Sequence, residues 1–242
     1  MNPDWIVPDW PAPARVRALA TTRAGGVSVQ PYDAFNLATH VGDDPLAVNE
    51  NRRRLRSALP AEPLWLTQVH GTRVASAEET ESGSEADACV ARSPGLICAV
   101  QTADCLPVLF ADLAGTVVAA AHAGWRGLAA GVLERTVAAM AVAPKDLIAW
   151  FGPAIGPAAF EVGAEVREIF CAADPAAAGA FAANDRGRWQ CDLLALARLR
   201  LAHAGLTRVF GGSLCTYRDS GRFYSYRRDG ATGRMASLIW LG

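Results

Sequence analysis

Four short, strongly apolar segments occupy the middle of the chain, and they constrain the fold more than any other feature. They are residues 64–69, 96–101, 107–111 and 116–122, and each has the length of a β-strand. Several of them are apolar at nearly every position, which is typical of strands covered on both faces. We therefore expect a central β-sheet with protein layers on either side.

Helical patterns alternate with the predicted strands. The sequence predicts helices at residues 46–59, 127–142, 163–171 and 192–203, and further strands at residues 16–22, 147–152, 208–212 and 235–240. The four arginines between 52 and 56 are interpreted as a solvated helix face, and the polar stretch 78–87 as a solvated loop between two strands. The predicted fold class is α/β, with one domain over residues 1–242 and a mixed sheet layered with helices.

Composition and charge narrow the classes of function. The chain has 242 residues, 51% of them hydrophobic, and a formal net charge of −1, which predicts a soluble globular protein with no general attraction to nucleic acid or to anionic membranes. Residues 1–11 lack a basic region and are interrupted by prolines, unlike a signal peptide. We expect a cytoplasmic protein whose partner is a small, uncharged metabolite.

The six cysteines are widely spaced and form no C-x-x-C pair, which favours reduced thiols over a disulfide framework. Cys89, Cys98, Cys171 and Cys191 lie in apolar or helical contexts, where free cysteines usually pack as small hydrophobic residues. Cys105 is different, because it lies in the turn-like segment Thr-Ala-Asp-Cys-Leu-Pro, between two predicted strands.

His70, Cys105 and His122 form the candidate metal site. All three lie at edges of predicted strands, next to glycine or proline. Two imidazoles and one thiolate fill three positions of a tetrahedral zinc ion and leave the fourth for water, as in catalytic zinc sites. The spacing matches no zinc finger and no H-E-x-x-H helix, so the prediction rests on placement rather than on a motif.

Two other interpretations of these residues stay open. Cys105 can serve as a thiolate nucleophile, with one histidine as its base and the other as the group that orients it. Alternatively, the three ligands hold a structural metal in a non-catalytic domain, which needs a fourth protein ligand, and Cys215 is the candidate for it. His203 is expected to stabilise a helix C-terminus, and His40 has no assigned role.

A candidate anion site follows His122. Residues 124–127, Gly-Trp-Arg-Gly, lead from the end of a predicted strand into a helix. Backbone N–H groups at a helix start, together with the guanidinium of Arg126, suit a phosphate or a carboxylate. The alternative is a helix cap with a surface ion pair.

Ordered motifs run along nearly the whole chain: residues 21–28 (TTRAGGVS), 32–37 (YDAFNL), 48–52 (VNENR), 68–71 (QVHG), 102–107 (TADCLP), 122–127 (HAGWRG), 152–157 (GPAIGP), 160–163 (FEVG) and 225–236 (SYRRDGATGRMA). Together they resemble the motifs of the YfiH-like laccase-domain family. The resemblance implies a cytoplasmic purine nucleoside phosphorylase acting on adenosine, inosine, guanosine and methylthioadenosine, with adenosine deaminase activity as well. It makes the expected partners a purine nucleoside and phosphate.

The resemblance also assigns roles to residues. His70, Cys105 and His122 correspond to the family's His–Cys–His set, which implies a zinc ion, with copper as the alternative metal. The three ligands and the arginine-bearing turns suggest a mechanism in which Asp104 or a nearby carboxylate handles protons and Arg126 and Arg23 hold phosphate. Asn36 and Arg228 are the candidates for contacts with the sugar or the base. The chain's four histidines are too few for the copper sites of a multicopper polyphenol oxidase, a label that the family also carries. A rival implied function is a hydrolase that edits cell-wall peptide precursors.

Overall fold

Two larger β-sheets form the centre of the computed structural model, which describes residue 2 and residues 4–242. The strands in chain order are β1 (Val16–Ala20), β2 (Pro63–Leu64), β3 (Val74–Ser76), β4 (Ala88–Ala91), β5 (Ile97–Thr102), β6 (Leu106–Asp112), β7 (Val118–Ala123), β8 (Leu147–Phe151), β9 (Glu161–Val162), β10 (Phe181–Ala183), β11 (Trp189–Cys191), β12 (Val209–Gly211) and β13 (Met235–Leu241). One sheet has the order β1-β13-β5-β2 and the other β12-β8-β6-β7-β4-β3, and β10, β11 and β9 form a small third sheet. Parallel and antiparallel pairs occur in both larger sheets.

The helices lie outside the sheets. They are α1 (Pro45–Arg56), α2 (Trp125–Ala130), α3 (Val132–Met140), α4 (Ala164–Ala173), α5 (Leu193–His203) and α6 (Tyr226–Asp229), with short 3-10 helices at Pro144–Asp146 and Pro175–Ala180. Asp44 caps α1 through a 2.9 Å hydrogen bond from the Leu46 amide, and Pro45 occupies the first helical position. Within the described residues, the structure contains no helix of the length and apolarity that a membrane span requires.

The core is divided among several layers. The two larger sheets pack face to face through residues such as Val100 and Ile239 on one side and Leu109 and Ala120 on the other. The outer face of the six-stranded sheet is covered mainly by α3 and α5, and α1 packs against the outer face of the four-stranded sheet. Both faces of each central strand are therefore buried, which explains why these strands are apolar at nearly every position.

The predicted mixed α/β class is confirmed, but the strands do not form one central sheet. The predicted strand at residues 64–69 is also too long, because β2 ends at Leu64. After Leu64, the Gln68 side chain makes the hydrogen bonds to β5 that a paired strand would make. Its Nε2 donates to the Gln101 carbonyl at 2.8 Å, and its Oε1 accepts from the Gln101 amide at 2.7 Å. The backbone thus leaves the sheet and carries the next residues into a loop.

Two further predictions change in detail. The helix predicted at residues 127–142 begins earlier, at Trp125, and is interrupted at Gly131, where φ is +96°. A glycine adopts that left-handed conformation without the steric strain of a Cβ, so the chain turns there between α2 and α3. The polar stretch 78–87 is not solvated throughout, because its last residue, Asp87, is fully buried.

The arginine cluster of α1 is only partly a solvated face. Arg53 and Arg54 are exposed and pair with the Glu50 carboxylate at 2.7 and 2.8 Å, as expected for side chains three and four residues apart. Arg52 instead lies over the Trp65 ring, with its guanidinium carbon 4.3 Å from the ring centroid. The first arginine of the cluster therefore faces the body of the protein.

Candidate active site

His70, Cys105 and His122 come together at one edge of the six-stranded sheet. His122 belongs to β7, Cys105 directly precedes β6, and His70 lies in the loop that follows β2. Strands β6 and β7 are antiparallel neighbours, with Leu106 paired to Ala123, so Cys105 and His122 meet by register. His70 reaches them from the other larger sheet because its loop crosses to this edge.

The geometry of the three side chains fits a metal ion. One ligand atom from each residue lies within 4.8 Å of the other two, and the His70 Nε2 to Cys105 Sγ distance is 3.8 Å. A tetrahedral zinc ion with bonds of about 2.0–2.3 Å would hold such atoms about 3.5 Å apart. Imidazole and thiolate donors also suit zinc chemically. The three residues can therefore hold zinc after only a small movement.

Cys215 is not placed as a fourth ligand. Its sulfur accepts a hydrogen bond from the Gly156 amide at 3.3 Å, and it lines a neighbouring cavity of about 770 Å³. Among the residues that the structure describes, the potential metal-binding group consists of His70, Cys105 and His122. Three protein ligands leave one position of a tetrahedral ion for water or substrate, the arrangement of catalytic rather than structural zinc.

A single carboxylate, that of Asp87, positions two of the three ligands. Its Oδ1 lies 2.8 Å from His122 Nδ1, so His122 donates from Nδ1 and directs Nε2 toward the cluster. The same carboxylate accepts from the backbone amides of Val69, His70 and Gly71 at 2.6–3.2 Å. Burial alone raises the pKa of this carboxyl, but the hydrogen bonds from His122 and the backbone outweigh it, and the pKa is lowered.

Electrostatics favour the thiolate of Cys105. Burial alone raises the pKa of this thiol, but the neighbouring His122 and His70 outweigh it, and the pKa falls to about 6. Burial correspondingly lowers the pKa of His122, while the Cys105 thiolate and Asp87 raise it to about 9. A thiolate is the form of cysteine that binds metals, and it is also the nucleophilic form.

Two residues of the site have backbone angles that are uncommon outside glycine. The φ angle is +59° at His70 and +99° at Asp104. Each is held by specific contacts: Asp87 binds the amides around His70, and Asp104 accepts from the Thr216 hydroxyl at 2.6 Å and from the Arg227 amide at 2.7 Å. Non-glycine residues in this region concentrate at functional sites. Both oxygens of Asp104 are thereby engaged: Oδ1 accepts from Thr216, and Oδ2 joins the turn before Cys105 to α6.

A cavity of about 320 Å³ opens beside the three ligands, and all three line it. Ile155, Phe160 and the exposed ring of Tyr226 form an apolar part of its wall. Such a size lies at the lower end of the range of small-molecule sites, about 300–1,000 Å³. The cavity therefore suits a compact ligand with an apolar or aromatic face.

The polar part of the wall includes His40, Gln68, Gln101 and Arg234, and Asp104 also lines the cavity. His40 has no role predicted from the sequence, and neither Arg234 nor Asp87 is predicted as a site residue. Asp87 stood at the end of a polar run that is typical of a solvated loop. Only the pairing of β4 with β7, in which Ala88 faces Ala121, brings Asp87 opposite His122.

Arg23 and Arg228, two of the four predicted substrate-binding residues, make their contacts within the protein. Arg23 donates to the carbonyls of Asp33 and Ser220 at 2.9 and 3.0 Å and pairs with the Asp33 carboxylate at 3.2 Å. Arg228 donates to three backbone carbonyls and to the Asp229 carboxylate. Neither lies among the residues that line the cavity.

Asn36 and Arg126, the other two, also lie outside the cavity lining. Asn36 is fully buried, and its amide donates to the Ala38 carbonyl and the Asp43 carboxylate while its oxygen accepts from the Arg234 amide. Arg126 is exposed, with its guanidinium carbon 4.5 Å from the centroid of the Trp125 ring. Asn36 nevertheless acts on the cavity indirectly, because it holds the backbone of Arg234.

Gly124 offers a test of how tightly the ligands are packed. A Cβ at this position would lie 2.7 Å from His70 Cδ2 and 3.0 Å from Cys105 Sγ, although the backbone itself (φ −67°, ψ 158°) accepts alanine. We expect Gly124→Ala to displace the ligands by several tenths of an ångström and to lower activity by roughly 100-fold, with little change in thermal stability.

The control for this variant is Gly179→Ala, because a Cβ there has nothing within 4 Å. Zinc content and turnover are compared for both variants with those of the parent protein. Full zinc occupancy and unchanged turnover in Gly124→Ala would contradict the close packing of the ligands.

Comparison with known proteins agrees with the resemblance seen in the sequence. The chain is 57% identical over 238 residues to a protein of Pseudomonas aeruginosa named purine nucleoside phosphorylase, with 98% of each chain covered. It is 56% identical over 239 residues to the purine nucleoside phosphorylase YfiH of Escherichia coli, again covering 98% of each chain.

Solved structures are also similar. A crystal structure of a Neisseria meningitidis protein has a TM-score of 0.95 at 54% identity, covering 98% of this chain and 99% of that one. Bacillus licheniformis YfiH has a TM-score of 0.87 at 31% identity, covering 94% and 93%. Because the model of the family described as multi-copper polyphenol oxidoreductase laccase also matches residues 17–242, the chain belongs to that family, and the predicted YfiH-like membership is confirmed.

Proposed function

We propose that this protein is a zinc-dependent purine nucleoside phosphorylase, and that it also deaminates adenosine. The observation that carries the proposal is the end-to-end match, at 56–57% identity, to proteins named purine nucleoside phosphorylase. The cavity supports it independently, because metal ligands, an apolar wall and arginine side chains meet in a space suited to a small molecule. Adenosine, inosine, guanosine and methylthioadenosine are the proposed nucleosides.

The apolar wall supports a purine substrate. Phe160 and Ile155 are buried, whereas the ring of Tyr226 is 61% exposed at the cavity. A flat purine gains contact area and stacking interactions with such rings. Gln68 and Gln101 also line the cavity, but the Gln68 side chain is bound to the backbone of Gln101 and the Gln101 amide donates to the Leu37 carbonyl, so they serve mainly to fix the shape of the cavity.

Phosphorolysis replaces one bond to the ribose by another. A phosphate oxygen bonds to C1′ as the C1′–N9 bond breaks, the electron pair passes to the purine, and the purine takes up a proton, which gives ribose 1-phosphate and the free base. Zinc held by His70, Cys105 and His122 would supply a Lewis acid that stabilises negative charge on a bound oxygen. Asp87 holds the ligands in place, and we assign Asp104 the positioning of Cys105 and α6 rather than proton transfer.

Deamination uses the same site with water instead of phosphate. The water oxygen adds to C6 of adenosine, and one water proton passes to the amino group, which leaves as ammonia with the electron pair of the C6–N bond. The other water proton ends on N1, which yields inosine. The six unpaired cysteines are typical of a reducing compartment and support the cytoplasm as the proposed location. Zinc is proposed over copper because imidazole and thiolate donors suit zinc, and three protein ligands with one open position are the arrangement of catalytic zinc sites.

The test is an incubation of metal-analysed protein with inosine and, separately, adenosine, with and without phosphate. Chromatography follows ribose 1-phosphate, free base and inosine. We expect phosphate-dependent release of base from both nucleosides, and phosphate-independent conversion of adenosine to inosine. His70→Ala is expected to abolish both reactions.

Other results of this incubation would each overturn one part of the proposed function. Release of base that does not depend on phosphate would make the protein a nucleosidase and overturn phosphorolysis. Absence of turnover of both inosine and adenosine by zinc-loaded protein would overturn the nucleoside assignment and favour the peptide-editing hydrolase. Full turnover by His70→Ala would remove the metal site from the mechanism.

A further inference from the structure

Arg234 lines the same cavity as the three metal ligands, and its side chain is held in one place. Its Nη1 donates to the carbonyls of Thr232 and Gly233 at 2.9 and 3.0 Å, and its backbone amide donates to Asn36 Oδ1 at 2.9 Å. Asn36 is itself fixed by hydrogen bonds to Ala38 and Asp43. The guanidinium is therefore preorganised at the cavity wall.

The charge of Arg234 lacks a close carboxylate partner. In the part of the chain that the structure describes, no carboxylate oxygen lies within 4.0 Å of it, and no hydrogen bond uses its Nε or Nη2. A partly buried charge is costly unless it is compensated. Two parallel N–H groups, Nε and Nη2, thus remain for an anion, in the planar arrangement that binds phosphate oxygens well.

A histidine and a second arginine lie near Arg234. His40 lines the cavity, and burial and then the charges of Arg234 and Arg52 lower its pKa, so at neutral pH it is a neutral imidazole that can donate one hydrogen bond to an anion. Arg52 lies outside the cavity lining, where it is held by stacking on Trp65 and by donating from Nε to the Leu37 carbonyl at 2.9 Å. This corner, formed by Arg234 and His40 with Arg52 nearby, is complementary to a small anion.

The other arginines near the site are less suited to this role. Arg23 and Arg228 are used by carbonyls and carboxylates, and Arg126 is exposed outside the cavity. Arg227 lines the cavity, but its Nη1 donates to the Glu161 carbonyl at 2.9 Å and its own amide binds the Asp104 carboxylate. Arg227 Nη1 also lies 3.4 Å from the Ala159 carbonyl, and these two carbonyl contacts hold its guanidinium toward β9.

We infer that Arg234 binds the inorganic phosphate substrate, with His40 donating a hydrogen bond and Arg52 adding positive charge nearby, and that Arg234 thereby determines specificity for phosphate as the attacking group. This inference rests on the proposed phosphorolysis and deepens it, because it names the residue that recognises the second substrate. It replaces Arg126 and Arg23 as the proposed phosphate ligands. Binding at this corner holds phosphate in the same cavity as the metal ligands.

The test measures KM for phosphate and for inosine with zinc-loaded Arg234→Gln. We expect KM for phosphate to rise roughly 10- to 100-fold, the loss expected for charge-assisted hydrogen bonds, and KM for inosine to change less than about twofold. The matched control is Arg135→Gln, an exposed arginine of α3 outside the cavity, with both constants unchanged. An unchanged phosphate KM in folded Arg234→Gln, or a rise found instead in Arg126→Gln, would overturn the inference.

A second variant and a binding measurement keep the inference separable from the proposed function. Arg234→Lys keeps the charge but loses the planar fork, so phosphate KM should rise several-fold, and an unchanged value overturns the inference even if Arg234→Gln fails to fold. Broadening of the phosphorus NMR signal of inorganic phosphate reports binding without turnover. If the parent protein binds phosphate through Arg234 but releases no base, phosphorolysis fails and the anion site stands. If base is released but the phosphate KM is the same in both Arg234 variants as in the parent, phosphorolysis stands and the anion site at Arg234 fails.

Discussion

Cys105→Ala is expected to abolish phosphate-dependent release of purine base and to leave the protein with little bound zinc. The substitution removes one of three ligands and the thiolate that the two histidines stabilise. Because a catalytic metal contributes several kcal/mol to transition-state stabilisation, turnover should fall by about 1,000-fold or more. The measurement is the rate of hypoxanthine formation from inosine, together with the zinc content of the same sample.

The matched control is Cys171→Ala, which removes a partly buried thiol of α4 outside the cavity lining. Its zinc content and turnover should stay within about twofold of the parent, because substitutions away from metal ligands, buried polar contacts and the tightly packed core usually have small effects. Cys105→Ala that loses turnover but keeps stoichiometric, tightly bound zinc would favour the thiolate nucleophile over the metal ligand. Undiminished turnover would exclude both roles for Cys105.

Asp87→Asn is expected to be the most damaging substitution outside the three ligands. The asparagine has nearly the same shape, but it loses the charge and presents an NH₂ group where the carboxylate accepts backbone N–H groups. We expect the free energy of unfolding to fall by about 2–3 kcal/mol, because at least one buried donor is left without a partner. Zinc affinity should fall about 10- to 100-fold, since His122 loses the group that orients it.

Urea unfolding with and without zinc separates the two effects. The control is Asp185→Asn, an exposed carboxylate in a turn, for which both quantities should stay within experimental error. Equal stability of Asp87→Asn and the parent in the absence of zinc would show that the carboxylate does not support the loop. Equal zinc affinity would show that it does not orient His122.

The sequence predicts the three ligands because each lies in a short motif at the end of an apolar strand. It does not predict Asp87, because the contact with His122 arises from the register between β4 and β7, and a carboxylate at the end of a polar run carries no local sign of burial. Arg234 is missed for a related reason. Arginines in loops look alike in sequence, and only the structure distinguishes Arg23, whose guanidinium is used by the protein, from Arg234, whose Nε and Nη2 remain available.

Most strands and helices are also predicted close to their observed positions, but their division between two sheets is not. An apolar strand such as β6 has Val108 facing the helices and Leu109 facing the second sheet, and burial by either layer produces the same apolar pattern. The early end of β2 at Leu64 cannot be predicted from the sequence, for a different reason. A glutamine side chain that imitates strand pairing, as Gln68 does, cannot be recognised from the residue type alone.

We propose that phosphorolysis requires a zinc ion held by His70, Cys105 and His122. The decisive measurement is the rate of phosphate-dependent hypoxanthine release from inosine by chelator-stripped protein during stepwise addition of zinc. We expect negligible turnover in the stripped protein and a linear recovery that saturates at one zinc ion per chain. Full turnover by protein that retains no zinc would contradict it.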